Sequence, residues 1–482
     1  MSNSRGISRR LADRISDTVG SRWCLGSPEE RWAYSYDGSL ARAAPDLVVL
    51  PGSEEEVAQV VRLCHNEGVP FVARGAGTGL SGGSVAIVGG VVIGLARLDR
   101  ILEIDPDDLL AIVEPGVVNL DLCLAAARHG LAFMPDPASQ KVSTIGGNVA
   151  NNAGGPHCLA YGVTTQHVIG LTVVLPDGER IDLGGPLADV RGYDLTGLYV
   201  GSEGTLGIVT RIICRLCPRR ESTVTLLAAF SAMEPAAAAV TRIISEGIVP
   251  TALEMMDGPI IRAIEESFHA GYPVEASAIL LVEVEGLAEG LASVSSRIRT
   301  ILDAAGPMLV REATSEGERQ RLWAGRKGAL GAVARLNLRY HLQDGVVPRS
   351  RLPSVLERVA AIGRELDLSI VNVFHAGDGN LHPLILFDPD DPDQMQRATV
   401  AAERIIRSCV EAGGTLTGEH GLGLEKNNWM GWLYTAEDLA VMKRVKDALD
   451  PRGIANPGKL LPSPLSAHQP LAAPDLSAGG PR

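Results

Sequence analysis

The sequence predicts an α+β fold with more than one domain. A strand, a helix and a second strand follow one another within residues 46–73, and residues 168–183 have the pattern of a β-hairpin. Residues 222–310 alternate between strand and helix patterns in an order that suits a ferredoxin-like unit. The chain has 482 residues. One domain ordinarily has roughly 150, so we expect two or three.

Charge and composition limit the classes of partner. The formal net charge is −13, which argues against nucleic acid as the main partner and against a polybasic membrane anchor. Glycine accounts for 54 residues, about 11% against a usual 7% or so, while aromatic residues are only 4%. An excess of glycine without a collagen repeat suggests backbone packed closely against another group.

Residues 1–45 are predicted to form an N-terminal helical segment. Leu11, Ile15 and Val19 recur at helical spacing. The early arginines also resemble a transit peptide, but Asp13 and Asp17 follow them closely. We see neither the apolar region of a secretory signal peptide nor a run of about 18 apolar residues. We therefore expect no integral membrane segment.

The cysteines favour a reduced protein. The chain has seven, scattered and odd in number, which does not suggest a disulfide framework. Cys214 and Cys217 form the one close pair. Without a second pair, local motifs build neither a four-cysteine zinc site nor an iron–sulfur cluster. We therefore expect a cytoplasmic location.

The first strand–helix–strand unit has clear boundary signals. An apolar strand ends at Pro51, and Ser53 can cap a helix that opens with three glutamates. Val57, Val60 and Cys64 fall on one helical face. The second strand is predicted from Phe71 onward.

A glycine-rich loop follows at 74–83. Its glycines at 77, 79 and 82 match the spacing of a Rossmann dinucleotide-binding loop, which requires a helix to open at the glycines. Here the following residues, 84–95, are rich in valine, isoleucine and glycine and predict a strand. The loop can hold phosphates through backbone N–H groups, but the pattern disfavours a nicotinamide-binding domain.

Two further glycine-rich blocks lie at 143–162 and 201–209. Between them, the predicted hairpin turns at residues 176–178. Glycines at turns would explain any one of these loops. Three such loops within 46–220 favour a domain whose bare backbone approaches a ligand.

The remaining segments complete the α+β pattern. Helices are predicted at 352–366, about 393–411 and about 436–449, and two strands flank a tight turn within 369–388. Residues 463–482 are rich in Pro, Ala, Ser and Gly, and we expect a disordered tail.

Two histidines flank that tight turn. His375 and His382 stand on either side of it, where both rings can reach one metal ion. Glu419 and His420 add a carboxylate and a third imidazole in a glycine-bounded loop. Two nitrogens and a carboxylate suit a catalytic divalent metal with open positions. The alternative is that these are unrelated surface or core histidines.

Arg326 is an arginine within an apolar helix pattern. Such a side chain can extend to solvent along its apolar stem. It can also clamp a carboxylate in bidentate fashion.

The motifs together resemble one known family. The segments PFVARGAGTGLSGG, IGGNVANNAGG, SEGTLGIVT, NVFHAGDGNLHPLILFD, GEHGLGLEKN and NPGK are similar to those of the FAD-linked 2-hydroxyacid dehydrogenases, and they occur in order between about residues 25 and 462. That family shares the flavin fold of vanillyl-alcohol oxidase and p-cresol methylhydroxylase (PCMH). The FAD-linked subunit of bacterial glycolate oxidase resembles the sequence most, and D-lactate and D-2-hydroxyglutarate dehydrogenases are near relatives.

The resemblance implies a division of the chain. Residues 46–220 would be a PCMH-type FAD-binding domain with two subdomains, and 221–430 a ferredoxin-like substrate or cap domain that carries the metal site. Residues 431–462, with the C-terminal helix and NPGK, would complete the FAD domain.

The resemblance also implies the cofactor contacts. FAD would be bound non-covalently, because loop 74–83 lacks the histidine through which some members of the superfamily attach it. The implied contacts are Arg74, Gly75, Ala76, Gly77, Thr78, Gly79, Ser81, Gly82, Asp136, Thr144, Gly146, Gly147, Asn148, Asn152, Gly154, Gly155, Gly207, Ile208, Val209 and Asn456.

The catalytic roles follow from the same resemblance. His375, His382 and Glu419 match the metal ligands of the metal-dependent members, with Zn²⁺ or Mn²⁺ expected. His420 matches the base and Arg326 the arginine that binds the substrate carboxylate. The implied reaction oxidises a 2-hydroxy acid to a 2-oxo acid by hydride transfer to flavin N5.

The sequence departs from the 2-hydroxyglutarate enzymes at three positions. Leu330 stands where they have threonine, His341 where an ungapped count gives lysine, and Leu384 where they have asparagine. We therefore expect a small monocarboxylate, glycolate or D-lactate, with His341 open as a substrate contact.

The electron acceptor is expected to be a separate molecule, because the chain has no iron–sulfur or haem motif. An iron–sulfur partner subunit, a quinone or a cytochrome are the candidates. Partner subunits could hold the protein at the inner membrane, and a homodimer is an open alternative. Other hypotheses are an O₂-using oxidase, a D-2-hydroxyglutarate dehydrogenase, a non-catalytic flavoprotein subunit and a metal-binding scaffold.

Overall fold

The computed structural model describes residues 6–187, 192–335 and 339–465. The chain forms two units. The first comprises the described residues up to Gly154, Val163–Arg219 and those from Glu419 onward, and the second comprises Gly155–Gly162 and Arg220–Gly418. The predicted segment 221–430 thus extends past the second unit. Of the predicted tail 463–482, all but the first three residues lie outside the described ranges.

The helices begin and end at ordinary capping signals. Ser53 Oγ accepts from Glu56 N–H at the start of one helix, and Gly68 ends it in a left-handed conformation. The α-helices of the described residues are α1 (Arg9–Val19), α2 (Pro28–Trp32), α3 (Glu54–Glu67), α4 (Asn119–Ala127), α5 (Ile145–Asn151), α6 (Cys158–Tyr161), α7 (Leu195–Tyr199), α8 (Met233–Ser245), α9 (Gly258–Phe268), α10 (Ala288–Ala304), α11 (Glu316–Lys327), α12 (Ala329–Val333), α13 (Leu352–Glu365), α14 (Pro392–Glu411) and α15 (Ala436–Leu449).

The strands are mostly short, apolar and buried. They are β1 (Cys24–Leu25), β2 (Leu47–Val49), β3 (Phe71–Arg74), β4 (Val91–Gly94), β5 (Ile101–Asp105), β6 (Leu110–Val113), β7 (Leu131–Ala132), β8 (Val168–Val174), β9 (Arg180–Gly184), β10 (Ile208–Arg215), β11 (Cys217–Pro218), β12 (Ser222–Phe230), β13 (Ala252–Asp257), β14 (Ala278–Gly286), β15 (Leu309–Glu312), β16 (Arg339–Leu342), β17 (Gly345–Val346), β18 (Ser369–His375), β19 (Asn380–Leu381) and β20 (Pro383–Phe387).

The first unit contains a four-stranded sheet in the order β1-β2-β4-β3. Strands β2 and β3 each pair in parallel with β4, and α3 connects them as predicted. Val57, Val60 and Val61 on α3 are fully buried in the core of this unit. Leu11, Ile15 and Val19 of α1 join the same core, which confirms the predicted N-terminal amphipathic helix.

A second, antiparallel sheet of this unit has the order β5-β6-β10-β8-β9. The predicted hairpin is confirmed as β8 and β9, which pair from Gly170 with Gly184 to Val174 with Arg180. Strand β10 lies beside β8, and its buried residues alternate with partly exposed ones.

The predicted strand over 84–95 is mostly wrong. Only Val91–Gly94 forms a strand, because Gly89 and Gly90 turn the chain with φ values of 75° and 84°. A Cβ on Gly90 would lie 2.2 Å from the Pro70 carbonyl oxygen. No helix opens at the glycines of loop 74–83, so the disfavoured Rossmann arrangement is absent from this described stretch.

The second unit contains a larger antiparallel sheet, in which four neighbouring strands have the order β15-β12-β14-β13. Numbered along the chain, these are the fourth, first, third and second strands, which is the strand order of a ferredoxin-like unit. This order confirms the prediction for 222–310. The sequence pattern did not reveal β13 and α9, which intervene between α8 and β14. Strand β18 extends the sheet beyond β13.

The remaining predictions agree with the structure. Strands β18 and β20 pair around the turn at 377–380, and α13, α14 and α15 occupy the three predicted helical segments. In the described part of the chain, we find no helix with the length and apolar character needed to cross a membrane.

Candidate active site

The first two glycine-rich loops lie against each other in the first unit. A Cβ on Gly75 would be 2.5 Å from Thr144 Oγ1, which itself accepts from Gly147 N–H at the start of α5. Gly77 and Gly82 have φ values of 71° and 80°, which favour glycine. This close approach makes the bare backbone of loop 74–83 a structural requirement.

The third loop is joined to the other two by hydrogen bonds. Glu203 N–H donates to the carbonyl of Ala150, near the end of α5 in the second loop. Asn456 Nδ2 donates to the carbonyls of Gly83 and Glu203 at 2.8 and 2.7 Å. Asn456 therefore links the first loop to the third from the C-terminal segment, a role that the sequence alone did not indicate.

Other predicted cofactor contacts lie in or beside these loops. Ile208 and Val209 are in β10, opposite Val174 and Val173 of β8. Asp136, Arg74 and Asn148 are buried polar groups. Gly155 belongs to the second unit. The further members of the predicted set in the first unit are Ala76, Thr78, Gly79, Ser81, Gly146, Asn152, Gly154 and Gly207.

Two buried polar atoms in the second loop fit a bound polar group. Asn148 Nδ2 and Ser143 Oγ have no hydrogen-bond partner within the described residues. An unpaired buried donor costs free energy unless a ligand or water satisfies it. Together with the close backbone approach at Gly75, these donors fit a cofactor that offers acceptor oxygens and nitrogens, as FAD does.

The loop that carries Glu419 and His420 is held by the glycine-rich loops of its own unit. The His420 carbonyl accepts from Ser81 Oγ at 2.9 Å and from Asn151 Nδ2 at 3.0 Å. Glu203 accepts from the N–H groups of Leu422 and Gly423 at 2.7 and 2.8 Å. The backbone next to His420 is thus fixed by all three loops.

Glu203 is a buried carboxylate, 5% exposed. Burial raises its pKa to about 7, although the two backbone N–H donors and Lys459 act in the opposite direction. Burial likewise lowers the pKa of Lys459 to about 8. Both groups therefore titrate close to neutral pH.

In the second unit, one buried glutamate joins two predicted site residues. Glu254 of β13 is directly opposite His375 of β18 in the antiparallel pair. His375 Nδ1 lies 2.8 Å from Glu254 Oε1, and Arg326 Nε donates to Glu254 Oε2 at 2.7 Å. Burial would raise the pKa of Glu254, but Arg326 and His375 hold it below its ordinary value.

His375 and His382 are brought together as predicted. Their ring centroids are 5.1 Å apart and the rings are nearly perpendicular. Asp344, which is fully buried, lies 3.5 Å from His382 Nε2 and accepts from the Gly418 N–H at 3.0 Å. Gly418 immediately precedes Glu419 in the chain.

The sequence reasoning missed Glu254 and Asp344. Glu254 is an acidic residue within a mainly apolar strand, ALEMMD, whereas Asp344 lies between the short strands β16 and β17 and carries no comparable signal. A buried carboxylate must be paired, so a lone acid in an apolar strand is a usable signal. Its partners, however, are distant in sequence and could not be read from it.

Comparisons with known families identify the class of protein. Residues 45–184 match the model of an FAD binding domain, and residues 219–460 match that of the C-terminal domain of FAD linked oxidases. The chain is a flavin-dependent oxidoreductase. It belongs to the FAD-linked oxidase family, in the branch that contains the glycolate oxidase subunits and the D-lactate dehydrogenases.

Three relatives illustrate the extent of the similarity. The chain is 47% identical to glycolate oxidase subunit GlcD of Escherichia coli (strain K12), over 91% of this chain and 88% of that protein. It is 43% identical to the GlcD subunit of Bacillus subtilis (strain 168), over 94% and 97%. It is 33% identical to a D-lactate dehydrogenase of Anaerostipes hadrus, over 94% and 98%.

Solved structures confirm the fold class. A p-cresol methylhydroxylase with substrate bound matches with a TM-score of 0.80 at 16% identity, over 94% of this chain and 98% of that one. A 4-ethylphenol oxidase from Gulosibacter chungangensis matches with a TM-score of 0.79 at 21% identity, over 96% and 99%. The predicted PCMH-type flavin fold is therefore correct.

Proposed function

We propose that this protein oxidises a small 2-hydroxy acid, glycolate or D-lactate, to the corresponding 2-oxo acid. The observation that carries the proposal is the buried group of Arg326, Glu254 and His375, with His382 beside it, in a chain 47% identical to a glycolate oxidase subunit. An arginine suited to bind a carboxylate lies near imidazoles suited to bind a metal, which supports the proposal.

FAD would be held non-covalently by the three glycine-rich loops. When bound, it supplies the acceptor for the substrate's hydride. Backbone N–H groups of loop 74–83 and α5, with the amide of Asn148, are the donors proposed for its acceptor atoms. The tight contact between Gly75 and Thr144 sets the shape of this cradle.

Arg326 would bind the substrate carboxylate and orient its C2 hydrogen. Its Nε already donates to Glu254, and its Nη2 lies 2.5 Å from the same oxygen. The guanidinium end that includes Nη1 is the part proposed for the substrate. Arg326 is only 7% exposed, so little water competes with a substrate carboxylate for its remaining donors.

His375, His382 and Glu419 are the proposed ligands of a divalent metal, Zn²⁺ or Mn²⁺. Two imidazoles and one carboxylate match the donor set of catalytic zinc and related sites. The facing rings of His375 and His382 fit such a role. When bound, the metal lowers the pKa of a coordinated hydroxyl group.

His420 is the proposed general base. A neutral imidazole can take the substrate's hydroxyl proton as hydride leaves C2. The His420 carbonyl accepts hydrogen bonds from Ser81 and Asn151, which fix the backbone from which the imidazole ring extends.

The size of the substrate is proposed from residues that lie near the proposed metal ligands in the sequence or in the same sheet. Leu384 of β20 is fully buried, and His341 of β16 is 8% exposed and pairs across from Ile385. Leu384 offers no polar group for a second carboxylate. His341 offers a cation only when its imidazole is protonated. A small monocarboxylate therefore suits the chain better than a dicarboxylate such as D-2-hydroxyglutarate.

Electrons would leave the reduced flavin to another protein or a quinone. The relatives named as glycolate oxidase subunits support a multisubunit assembly, and we propose an iron–sulfur subunit as the acceptor. We also propose a cytoplasmic location, with partner subunits providing any contact with the inner membrane.

Metal removal tests the metal assignment. After dialysis against a chelator and verification by elemental analysis, anaerobic reduction of the flavin by glycolate or D-lactate should slow at least about tenfold, because the hydroxyl is no longer polarised. Added Mn²⁺ or Zn²⁺ should restore the rate, and FAD content should stay constant. An unchanged rate in verified metal-free protein would refute the metal's role.

A further inference from the structure

Glu254 is the centre of a buried charge network in the second unit. It has no exposed surface, yet it contacts both Arg326 and His375. Its two carboxylate oxygens accept from groups on different elements, the helix α11 and the strand β18. Neither the sequence motifs nor the comparisons assign it a role.

The position of Glu254 follows from strand pairing. It interrupts an otherwise apolar strand, and the β13–β18 register sets it directly across from His375. A buried carboxylate without partners is strongly unfavourable. One cation from Arg326 and one ring N–H from His375 offset that cost, while breaking the network would leave an uncompensated charge.

We propose that Glu254 is a positioning residue that orients a metal-ligand histidine and the substrate-binding arginine at the same time. The inference rests on the proposed function, because it assumes that His375 binds metal and that Arg326 binds substrate. In this role Glu254 would act through Arg326 and His375, the two residues that it contacts.

The effect on His375 concerns its tautomer. An ionised carboxylate can only accept hydrogen bonds, so His375 Nδ1 must carry the hydrogen that points at Glu254. The lone pair for coordination is then on Nε2. Carboxylate partners of this kind fix the ring and raise the basicity of ligand histidines, and their loss typically weakens metal binding about 10–100-fold.

The effect on Arg326 concerns which of its donors face the substrate. Glu254 occupies the Nε side of the guanidinium, as the distances of 2.7 Å to Nε and 2.5 Å to Nη2 indicate. The substrate carboxylate is thereby directed to the opposite end. One carboxylate thus sets the direction of both groups.

Asp257 provides a matched control. It is a carboxylate of the same strand β13, 8% exposed, and it accepts from the Ile260 N–H, the Asn372 N–H and Asn372 Nδ2. Like Glu254, it joins β13 to β18, but the contacts described for it include neither His375 nor Arg326. Its substitution should produce a similar loss of stability without the loss of positioning.

The test measures Mn²⁺ binding to the FAD-loaded full chain, with free Mn²⁺ followed by electron paramagnetic resonance. Glu254→Gln should raise the Mn²⁺ dissociation constant about 10–100-fold, because the amide can turn its NH₂ toward Nδ1 and favour the other tautomer. Glu254→Asp keeps the charge but shortens the side chain by one CH₂ group, so it should bind Mn²⁺ more tightly than Glu254→Gln and less tightly than the wild type. Asp257→Asn should bind Mn²⁺ like the wild type.

The outcomes distinguish a failure of the proposed metal site from a failure of the positioning role of Glu254. If His375→Ala binds Mn²⁺ like the wild type, the proposed metal site itself is wrong. If His375→Ala loses Mn²⁺ while Glu254→Gln retains wild-type affinity, only the positioning role is overturned. Equal losses in Glu254→Gln and Asp257→Asn would also overturn it. Should Glu254→Gln fail to fold, Glu254→Asp decides, and wild-type affinity there contradicts the inference.

Discussion

Gly75 shows at the scale of one residue why the loops proposed to hold FAD are rich in glycine. Its φ is not unusual, so conformational freedom is not the reason. The reason is space, because an added methyl group would meet Thr144 Oγ1 at 2.5 Å, and Thr144 cannot move without releasing the start of α5. Substitution here therefore acts on two loops at once.

We predict that Gly75→Ala weakens FAD binding about tenfold or more, since forcing a methyl group into a packed contact costs about 1–3 kcal/mol. Fluorescence titration of the apoprotein with FAD measures this. Gly290→Ala is the control, because Gly290 lies within α10 and an added Cβ would meet no atom within 4 Å. Equal FAD affinity in both variants would show that the Gly75 contact is not part of the cofactor site.

Single residues also mark the limit of sequence reasoning. His375 and His382 could be paired in advance because a short hairpin joins them. Glu254 could not be linked to His375, because 121 positions separate them and only the β13–β18 register brings them together. The role of Arg326 was implied by the family resemblance. Its hydrogen bond to Glu254 is another contact between residues distant in sequence, which could not be predicted.

At the scale of elements, the loop from Glu419 to Leu424 depends on the loops beneath it. Ser81 and Asn151 fix the His420 carbonyl, and Glu203 accepts from the N–H groups of Leu422 and Gly423. Glu203 is buried for this purpose, and burial raises its pKa to about 7. The loop's anchor is thus sensitive to pH.

The raised pKa predicts a defined pH dependence of stability. Below about pH 4.5, Glu203 is protonated in the folded and unfolded chains and contributes no difference. As pH rises toward 7, the unfolded chain loses this proton first, so the free energy of unfolding falls, by about 3 kcal/mol in full. Urea unfolding should therefore show Glu203→Gln gaining stability relative to the wild type between about pH 5 and pH 8. A difference that stays constant, or moves in favour of the wild type, would contradict the raised pKa.

Most elements were predictable because their local signals agree with their tertiary setting. The cap and buried apolar face of α3, and the hairpin of β8 and β9, are examples. The segment 84–90 misled because its valines and isoleucine resemble a strand, while Gly89 and Gly90 turn the backbone. Strand β13 was missed because Glu254 interrupts its apolar pattern.

At the scale of the whole molecule, the chain returns to its first unit at the end. The second unit is inserted between Arg219 and Glu419, apart from the short segment Gly155–Gly162. The glycine-rich loop motifs, the histidine hairpin and the GEHGLG loop were recognisable from sequence as motifs of one family. The hydrogen bonds that join the glycine-rich loops through Asn456 and Glu203 could be seen only in the structure.

We propose above all that this chain transfers hydride from a small 2-hydroxy acid to its flavin, with His420 as the base. The most direct measurement is anaerobic mixing of the FAD-loaded protein with glycolate or D-lactate while the flavin absorbance is followed. We expect the wild type to bleach and His420→Ala to keep its FAD but bleach at least about 100-fold more slowly, the usual contribution of a positioned base. Absence of bleaching with every small 2-hydroxy acid, or bleaching of His420→Ala at the wild-type rate, would contradict the claim.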